Sequence, residues 1–293
     1  MPSRLVSLAI LIYWSVAAFF LVAWDVIPEM GSGYPPDLRA IALAGDSSRS
    51  VRWNIQVIDD PRFPDVRRPV GEAVTGSSLR PDGWFELTSQ VEIDAGALLK
   101  GTALLPRSSV RLEIASLYLV EPSGNLHSFT LDVRSADSPE TLVQVKGRLK
   151  GTRMEIVSRG PVEMLNKRLE IDYVPRGVVQ DVLGPLDRLP GLHVGQRWES
   201  QMVNPFTGQV SPVRVEVARL GMINWNGEPV TTFEVVQHLT PMAMAPLTMR
   251  TWVRRDGVIL RQEVPFPFVR LVLERRPEAD EVPSQTQTRV PAS

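Results

Sequence analysis

The sequence predicts a mainly β protein, a curved antiparallel sheet or half-barrel standing behind an N-terminal transmembrane helix. Three observations predict it. Leu5–Trp24 is an apolar stretch of about 20 residues without one charge, enough helix to cross about 30 Å of hydrocarbon. Downstream, apolar and polar residues alternate in short runs, as where Arg214 and Glu216 interleave with Val213, Val215 and Val217. Asp-Gly and Asn-Gly pairs separate these runs, and 25 prolines with 20 glycines suit short strands and turns better than long helices.

Residues 1–24 read as a short cytoplasmic tip and a membrane anchor. A cleaved signal has a shorter apolar core and a small-x-small site, whereas this stretch ends on the bulky Trp24. Trp24 suits the headgroup layer, and Tyr13 and Trp14 lie mid-span. Arg4 precedes the span while Asp25, Glu29 and Asp37 follow it, so the N-terminus is expected inside and the large domain outside. The expected location is the cell membrane, with an extracytoplasmic, periplasmic body.

Residues 25–50, with Gly31-Ser32-Gly33 and Pro35-Pro36, read as a stalk in which Leu38–Ala44 suggests a helical turn. Residues 51–274 read as the β domain. Trp53–Val57 alternates as a half-buried strand, and Pro61–Pro69 breaks it. Asp82-Gly83 signals a hairpin, followed by a strand over Trp84–Ile93. Val110–Ile114 alternates, Ser123-Gly124-Asn125 turns, and Phe129, Leu131 and Val133 face inward. Leu142–Leu149 and Arg153–Ser158 form a hairpin about Lys150-Gly151, and Arg168–Val174 adds a strand.

Residues 175–196 are rich in Pro and Gly and read as a connector, with Val178–Leu183 as helical turns. Beyond it, Asn226-Gly227 is the strongest two-residue hairpin signal, with Phe233 and Val235 returning on one face. Asp256-Gly257 joins Met249–Arg254 to Val258–Val264, and Val269, Leu271 and Leu273 form the last strand. The layouts of 51–174 and 197–274 suggest two related halves, lying in one sheet or two. Residues 275–293 read as a disordered polar tail.

Composition excludes several chemistries. A net charge of −1 lacks the basic stripe that nucleic acid requires, and zero cysteines exclude disulfides and thiolate metal sites. The three histidines, His127, His193 and His238, do not share metal-ligand spacing. No G-x-S-x-G elbow or phosphate-binding glycine pattern occurs, and Asp59-Asp60 suits a turn before Pro61. No cofactor or metal is expected, and an enzyme is the least supported class.

Two features remain as a candidate ligand or partner surface. Met242, Met244 and Met249 follow His238 in a segment that Pro241 and Pro246 keep from being a regular strand. Thioethers there suit core cover, an adaptable apolar lip or, with the histidine, Cu(I). Trp225 flanks the Asn226-Gly227 turn, where exposure is expected. Arg250, Arg254, Arg255 and Arg261 make one hairpin basic, either a solvated face or a headgroup contact.

The run Leu189-Pro190-Gly191-Leu192-His193-Val194-Gly195-Gln196-Arg197-Trp198, then Trp225-Asn226-Gly227, then Thr251 to Glu263, resembles an uncharacterised family. Its members are single-pass, extracytoplasmic, β-rich bacterial proteins of planctomycete-type genomes. The same order is similar to families of unknown function related to periplasmic lipoprotein carriers. That resemblance implies an unclosed β-barrel with a covered concave face, and it carries over no functional residue. The expected function is a membrane-anchored binding or accessory protein that holds an apolar or lipid-like ligand or docks on a membrane complex. The alternative is an assembly subunit of a transporter or secretion complex without a ligand of its own.

Overall fold

The computed structural model describes residues 36, 49–60, 62–98, 110–137, 140–173, 179–181, 184–203, 210–239, 247–265 and 269–277. Leu5–Trp24, nearly all of the stalk with Leu38–Ala44, and the expected tail from Glu278 lie outside them. Among the described residues, no helix is long and apolar enough to cross a membrane.

Eight strands form the first arm: β1 (Arg49–Ile58), β2 (Arg67–Leu79), β3 (Phe85–Asp94), β4 (Arg111–Val120), β5 (Leu126–Ser135), β6 (Thr141–Lys150), β7 (Arg153–Arg159) and β8 (Lys167–Asp172). A single helical turn, α1 (Ala95–Leu98), follows β3. Seven form the second arm: β9 (Val179–Asp181), β10 (Arg197–Val203), β11 (Val210–Trp225), β12 (Glu228–Leu239), β13 (Leu247–Arg254), β14 (Ile259–Pro265) and β15 (Arg270–Arg275). All fifteen belong to one sheet, ordered β8 through β1, then β15 down to β9. Neighbours are antiparallel except β9 and β10, which run parallel. The halves expected from the sequence therefore share one sheet.

This order forces curvature. Laid flat, the 15-stranded sheet would separate β8 from β9 by about 67 Å at roughly 4.8 Å per step. Asp172 and Val179, which end β8 and begin β9, are seven positions apart, and that chain reaches at most about 25 Å. The sheet must curl until its edges approach. Every chain-consecutive pair is hydrogen-bonded except β8 with β9, and β1 pairs with β15. The result is a barrel-like sheet left open at one seam.

The concave face is the core. Trp53 pairs with Ala73, Ala73 with Val91, Val91 with Ile114 and Ile114 with Val133, a row of apolar side chains across five strands. Trp53 and Leu131 are fully buried, and burial of such side chains stabilises by about 1.5–3 kcal/mol each. Phe129, Leu131 and Val133 face inward as their alternation predicts.

Four local expectations are corrected. Pro61–Pro69 does not exclude a strand at its end: β2 begins at Arg67 and carries Pro69 at a bulge opposite Ile55 and Gln56, where a missing N–H is tolerated. Within the expected helical turns Val178–Leu183, the described residues Val179–Asp181 are not helical but pair with Gln201–Val203 as β9. Arg275 is not tail: it ends β15 at 2% exposure, ion-paired with Asp187. Trp225 is not exposed: β11 and β12 overhang β13, and the overhang folds back so that Trp225 packs with Val258 and Leu260.

The connector closes over the core. Leu186 and Leu189 are buried in the same cluster as Trp53. Leu189 N–H donates to Gly257 O at 2.7 Å, Ile259 N–H donates to Asp187 O at 3.1 Å, and Arg188 bridges to Val258. Gly257 has φ +89, and a Cβ there would lie 2.9 Å from Pro190 Cα, so glycine is what lets the connector lie so close.

Candidate functional site

The unpaired seam is where the fold departs from a closed barrel, and each of its lips has its own chemistry. On the β8 lip, Leu169 pairs with Ile156, a buried residue of the concave face, so Leu169 stands in the concave row. Leu169 is nevertheless 54% exposed, because no strand follows it. Val162, in the turn before β8, is similarly exposed. The concave apolar surface thus runs out to solvent here.

Apart from Leu169 and the half-buried Ile171, β8 is charged, with Lys167, Arg168, Glu170 and Asp172 exposed, which discourages strand addition at an open edge. Glu155 on β7 pairs with Lys150 and with Arg168, tying β8 to its neighbour. The bond from Lys150, and then the Arg168 charge, hold the Glu155 carboxyl below its ordinary value despite the cost of burial.

On the other lip, β9 pairs with Gln201–Val203 of β10, and Arg197 to Ser200 precede that pairing. Trp198 points inward from that stretch. Register carries a row inward from it: Trp198 pairs with Val215, Val215 with Gln237, and Gln237 with Met249. All four are buried, Trp198 at 5% and Gln237 at 1%. Gln237 Nε2 donates to Thr251 Oγ1 at 3.4 Å, while Gln237 Oε1 and Trp198 Nε1 have no partner. A buried polar atom without a partner costs about 1–3 kcal/mol.

A third such atom has a local explanation. Ser89 Oγ is also unpartnered, but Ser89 lines a cavity of about 20 Å³ with Thr75, Tyr118 and Leu186 beneath the connector. That volume accommodates one water molecule.

The surface residues singled out from sequence disperse. Met249 is fully buried in the core, while Met242 and Met244 lie outside the described residues, which leaves the loop expected to hold them undescribed. Trp225 is an anchor, its Nε1 donating to Arg275 O at 3.1 Å. The basic hairpin is largely paired: Arg250 with Glu234, Arg254 with Asp256 and Arg261 with Glu274. His193 and His238 are exposed, and His127 packs edge-on to Trp84 at 4.8 Å. A groove of about 420 Å³ crosses the convex side of β2–β5 beside Glu72, Glu92, Glu113, Asp132 and Arg134. Arg276 pairs with Glu72 and Arg111 with Glu92, and no group of three or more His, Cys, Asp or Glu among the described residues is arranged to hold a metal.

Sequence reasoning did not single out Trp198 with Gln237. A signal was present, because Gln237 continues the parity of Phe233 and Val235, which already placed it on the buried face.

No protein-family model and no curated protein matches this sequence. Solved structures are similar in fold. A β-barrel-like protein of the domain of unknown function DUF1849 from Brucella abortus aligns over 78% of this chain and 94% of its own, with 8% identity and a TM-score of 0.50. A DUF1089 family protein from Pseudomonas aeruginosa covers 66% of this chain and 89% of its own at 12% identity and a TM-score of 0.36. LprF from Mycobacterium bovis covers 83% of this chain and 94% of its own at 14% identity and a TM-score of 0.25. The first likeness shows a shared barrel-like β fold, and the other two add nothing to it.

Proposed function

We propose that this protein holds an apolar or lipid-like ligand against its concave face, entered at the seam, as an accessory protein tethered to the membrane by Leu5–Trp24. On this reading the body is extracytoplasmic and performs no catalytic step. The observation that carries it is Leu169, a concave-face residue left half exposed at the seam where the described strands do not close. A fully closed barrel has no such residue, and a solvated edge has no reason to place an apolar side chain there.

The test is photolabelling of the full-length chain in lipid nanodiscs with a diazirine-bearing fatty acid, with peptides mapped by mass spectrometry. Labels are expected on β7, β8 and β10, and Leu169→Glu is expected to reduce them several-fold. Labelling confined to Leu5–Trp24 removes the ligand reading. Protease added to spheroplasts tests the topology: digestion of the body from Val51 onward is expected, and protection reverses the orientation.

A second reading has an observation of its own. On the β11–β12 overhang, Leu220 and Met222 project from one face while Ile223 and Trp225 pack from the other, and Met222 is 73% exposed. Such a knob suits an assembly subunit docking on a membrane complex. Met222→Lys abolishing co-purification of a partner, with ligand labelling absent, favours it.

A further inference from the structure

β8 and the overhang of β11 both present an open strand edge, and they are built in opposite ways. β8 carries Lys167, Arg168, Glu170 and Asp172, charges that keep another strand away. Leu220–Trp225 of β11 has no charge and no proline. We infer that this edge pairs two copies of the chain, β11 meeting β11 of the second copy antiparallel about a twofold axis at Gly221. The inference is independent of the ligand-holding reading. It makes a second copy, rather than a separate membrane complex, what meets Leu220 and Met222.

β12 takes one side of β11 as far as Trp225. The other side is occupied only to Val217, by β10 up to Glu216 and then by Gly195 and Gln196. A bulge follows between Val217 and Arg219. Pro229 has no N–H, so its pair with Asn224 is a non-hydrogen-bonded one. Alternation makes the pairs of Met222 with Thr231 and of Leu220 with Phe233 the same. The N–H and C=O of Leu220, Met222 and Asn224 therefore point away from β12. Arg261 Nη2 donates to Asn224 O at 2.8 Å. Among the described residues, which include the whole overhang, no backbone group bonds to the outward N–H and C=O of Leu220 and Met222.

A second copy fits this edge better than a charged partner strand does. Antiparallel pairing about Gly221 sets Leu220 opposite Met222 of the second copy, and the twofold repeats the pair. The outward backbone groups of both residues gain partners, and two apolar cross-strand contacts form. Leu220 and Met222 are 40% and 73% exposed in the single chain. Gly221 then faces its own counterpart in the closer kind of strand pair, about 4.5 Å between Cα atoms. A Cβ at Gly221 would meet nothing within 4 Å, so no contact within the single chain calls for glycine there. Glycine in mid-strand suits the close approach of another backbone. The one charge in the paired stretch, Arg219, is met by Glu234 at 2.6 Å. The Arg219 side chains of the two copies start about 14 Å apart, four residues along the pair. An acidic or basic partner strand finds no free counter-charge on this edge, whereas a second copy brings none to be met.

The experiment exploits the absence of cysteine from the chain. Single cysteines are placed in the purified full-length protein in detergent, and disulfide formation is followed under mild oxidation. Gly221→Cys is expected to give a covalent dimer, because facing Cα atoms of such a pair lie within disulfide range. Asn224→Cys, whose copies stand about 20 Å apart, is expected to cross-link about 10-fold more slowly. A mixture of Leu220→Cys and Met222→Cys should cross-link faster than either alone. Sedimentation of the parent is expected to show a monomer–dimer equilibrium. Gly221→Glu opposes two carboxylates on the axis and should lower its association constant by about 5-fold. Met222→Lys, at an exposed position, should weaken association without changing the melting temperature, which separates lost pairing from misfolding. Equal cross-linking at Gly221 and Asn224, or a parent that stays monomeric at every concentration, overturns the dimer. So does cross-linking of Gly221→Cys to a different protein alone in the producing cell. Each of these results leaves the ligand-holding reading standing.

Discussion

The two arms of the sheet are both antiparallel meanders that start at the β1–β15 pair and end at the seam, yet they carry different loads. The first arm's row through Trp53, Ala73, Val91, Ile114 and Val133 is apolar throughout. A row of the second arm runs from Leu273 through Gln262, Thr251 and Val235 to Val217, two of its five members being polar. The first arm has a polar row as well, from Val51 through Thr75, Ser89 and Ser116 to Leu131, all of it buried. What sets the arms apart is the load each carries: the second is tied to the connector through Leu189, Asp187 and the Arg275 ion pair, while the first ends in the half-exposed Leu169 at the seam.

The largest expected effect breaks the second arm at its buried ion pair. Asp187→Ala removes the carboxylate paired with the almost wholly buried Arg275 guanidinium. The expected loss is about 3–5 kcal/mol in urea denaturation, the range for breaking a buried ion pair. A loss below 1 kcal/mol would mean that the connector is not held by this pair. Next come the two interiors. Leu131→Ala in the first arm and Met249→Ala in the second both empty fully buried sites. Both are expected to cost about 2–5 kcal/mol, the range for emptying a core site. A loss below about 1 kcal/mol at either would mean that its arm is not close-packed there.

The two Asp-Gly turns sharpen the comparison further. Gly83 and Gly257 have φ of +81 and +89, so alanine is strained at both, by about 1 kcal/mol or more. At Gly83 the added Cβ meets only Pro122 Cγ at 3.7 Å, while at Gly257 it meets Pro190 Cα at 2.9 Å. Gly257→Ala should therefore lower the melting temperature clearly more than Gly83→Ala, by moving the connector. The smallest effect concerns the seam's first-arm lip. Lys150 and Arg168 lower the Glu155 pKa, so its ionised form stabilises the fold. That contribution is complete above the ordinary glutamate value of 4.5 and is lost as pH falls through the lowered folded value. The stability gap between the parent and Glu155→Gln should be constant near neutrality, shrink in acid and weaken with salt.

Much of the first arm was legible because its strands obey the two-residue alternation with few interruptions, as Phe129, Leu131 and Val133 do. Where alternation failed as a guide, a non-local cause is visible. Pro69 reads as a breaker until the bulge against β1 supplies a place without a hydrogen bond. Val179–Asp181 reads as helical because three residues carry no period, and only pairing with β10 makes them a strand. Trp225 beside a tight turn reads as exposed because nothing local says that the overhang folds back to Arg275. The barrel-like closure was implied by the family resemblance rather than by any residue pattern, since the pairing of β1 with β15 has no local signature. The alignment of Trp198 with Gln237 lay further still from view, because it depends on the register of three strands at once.

The β1–β15 pairing also sets when this protein can become itself. Arg67 and Glu274 hydrogen-bond across 207 residues of chain, and β1 has one neighbour immediately and the other only after β15 is made. On the ribosome the first arm can zip up from local hairpins while one side of β1, with Trp53 and Ile55 at its centre, waits unpaired. Contacts of such long range are slow to form, because the loop-closure entropy must be met before they contribute anything. Throughout that wait β1 is an open apolar edge, the kind of surface that recruits a holding chaperone or a neighbouring chain. Loss of the last six residues of the sheet by premature termination would therefore leave a chain with nearly every strand present and an aggregation-prone edge at its middle.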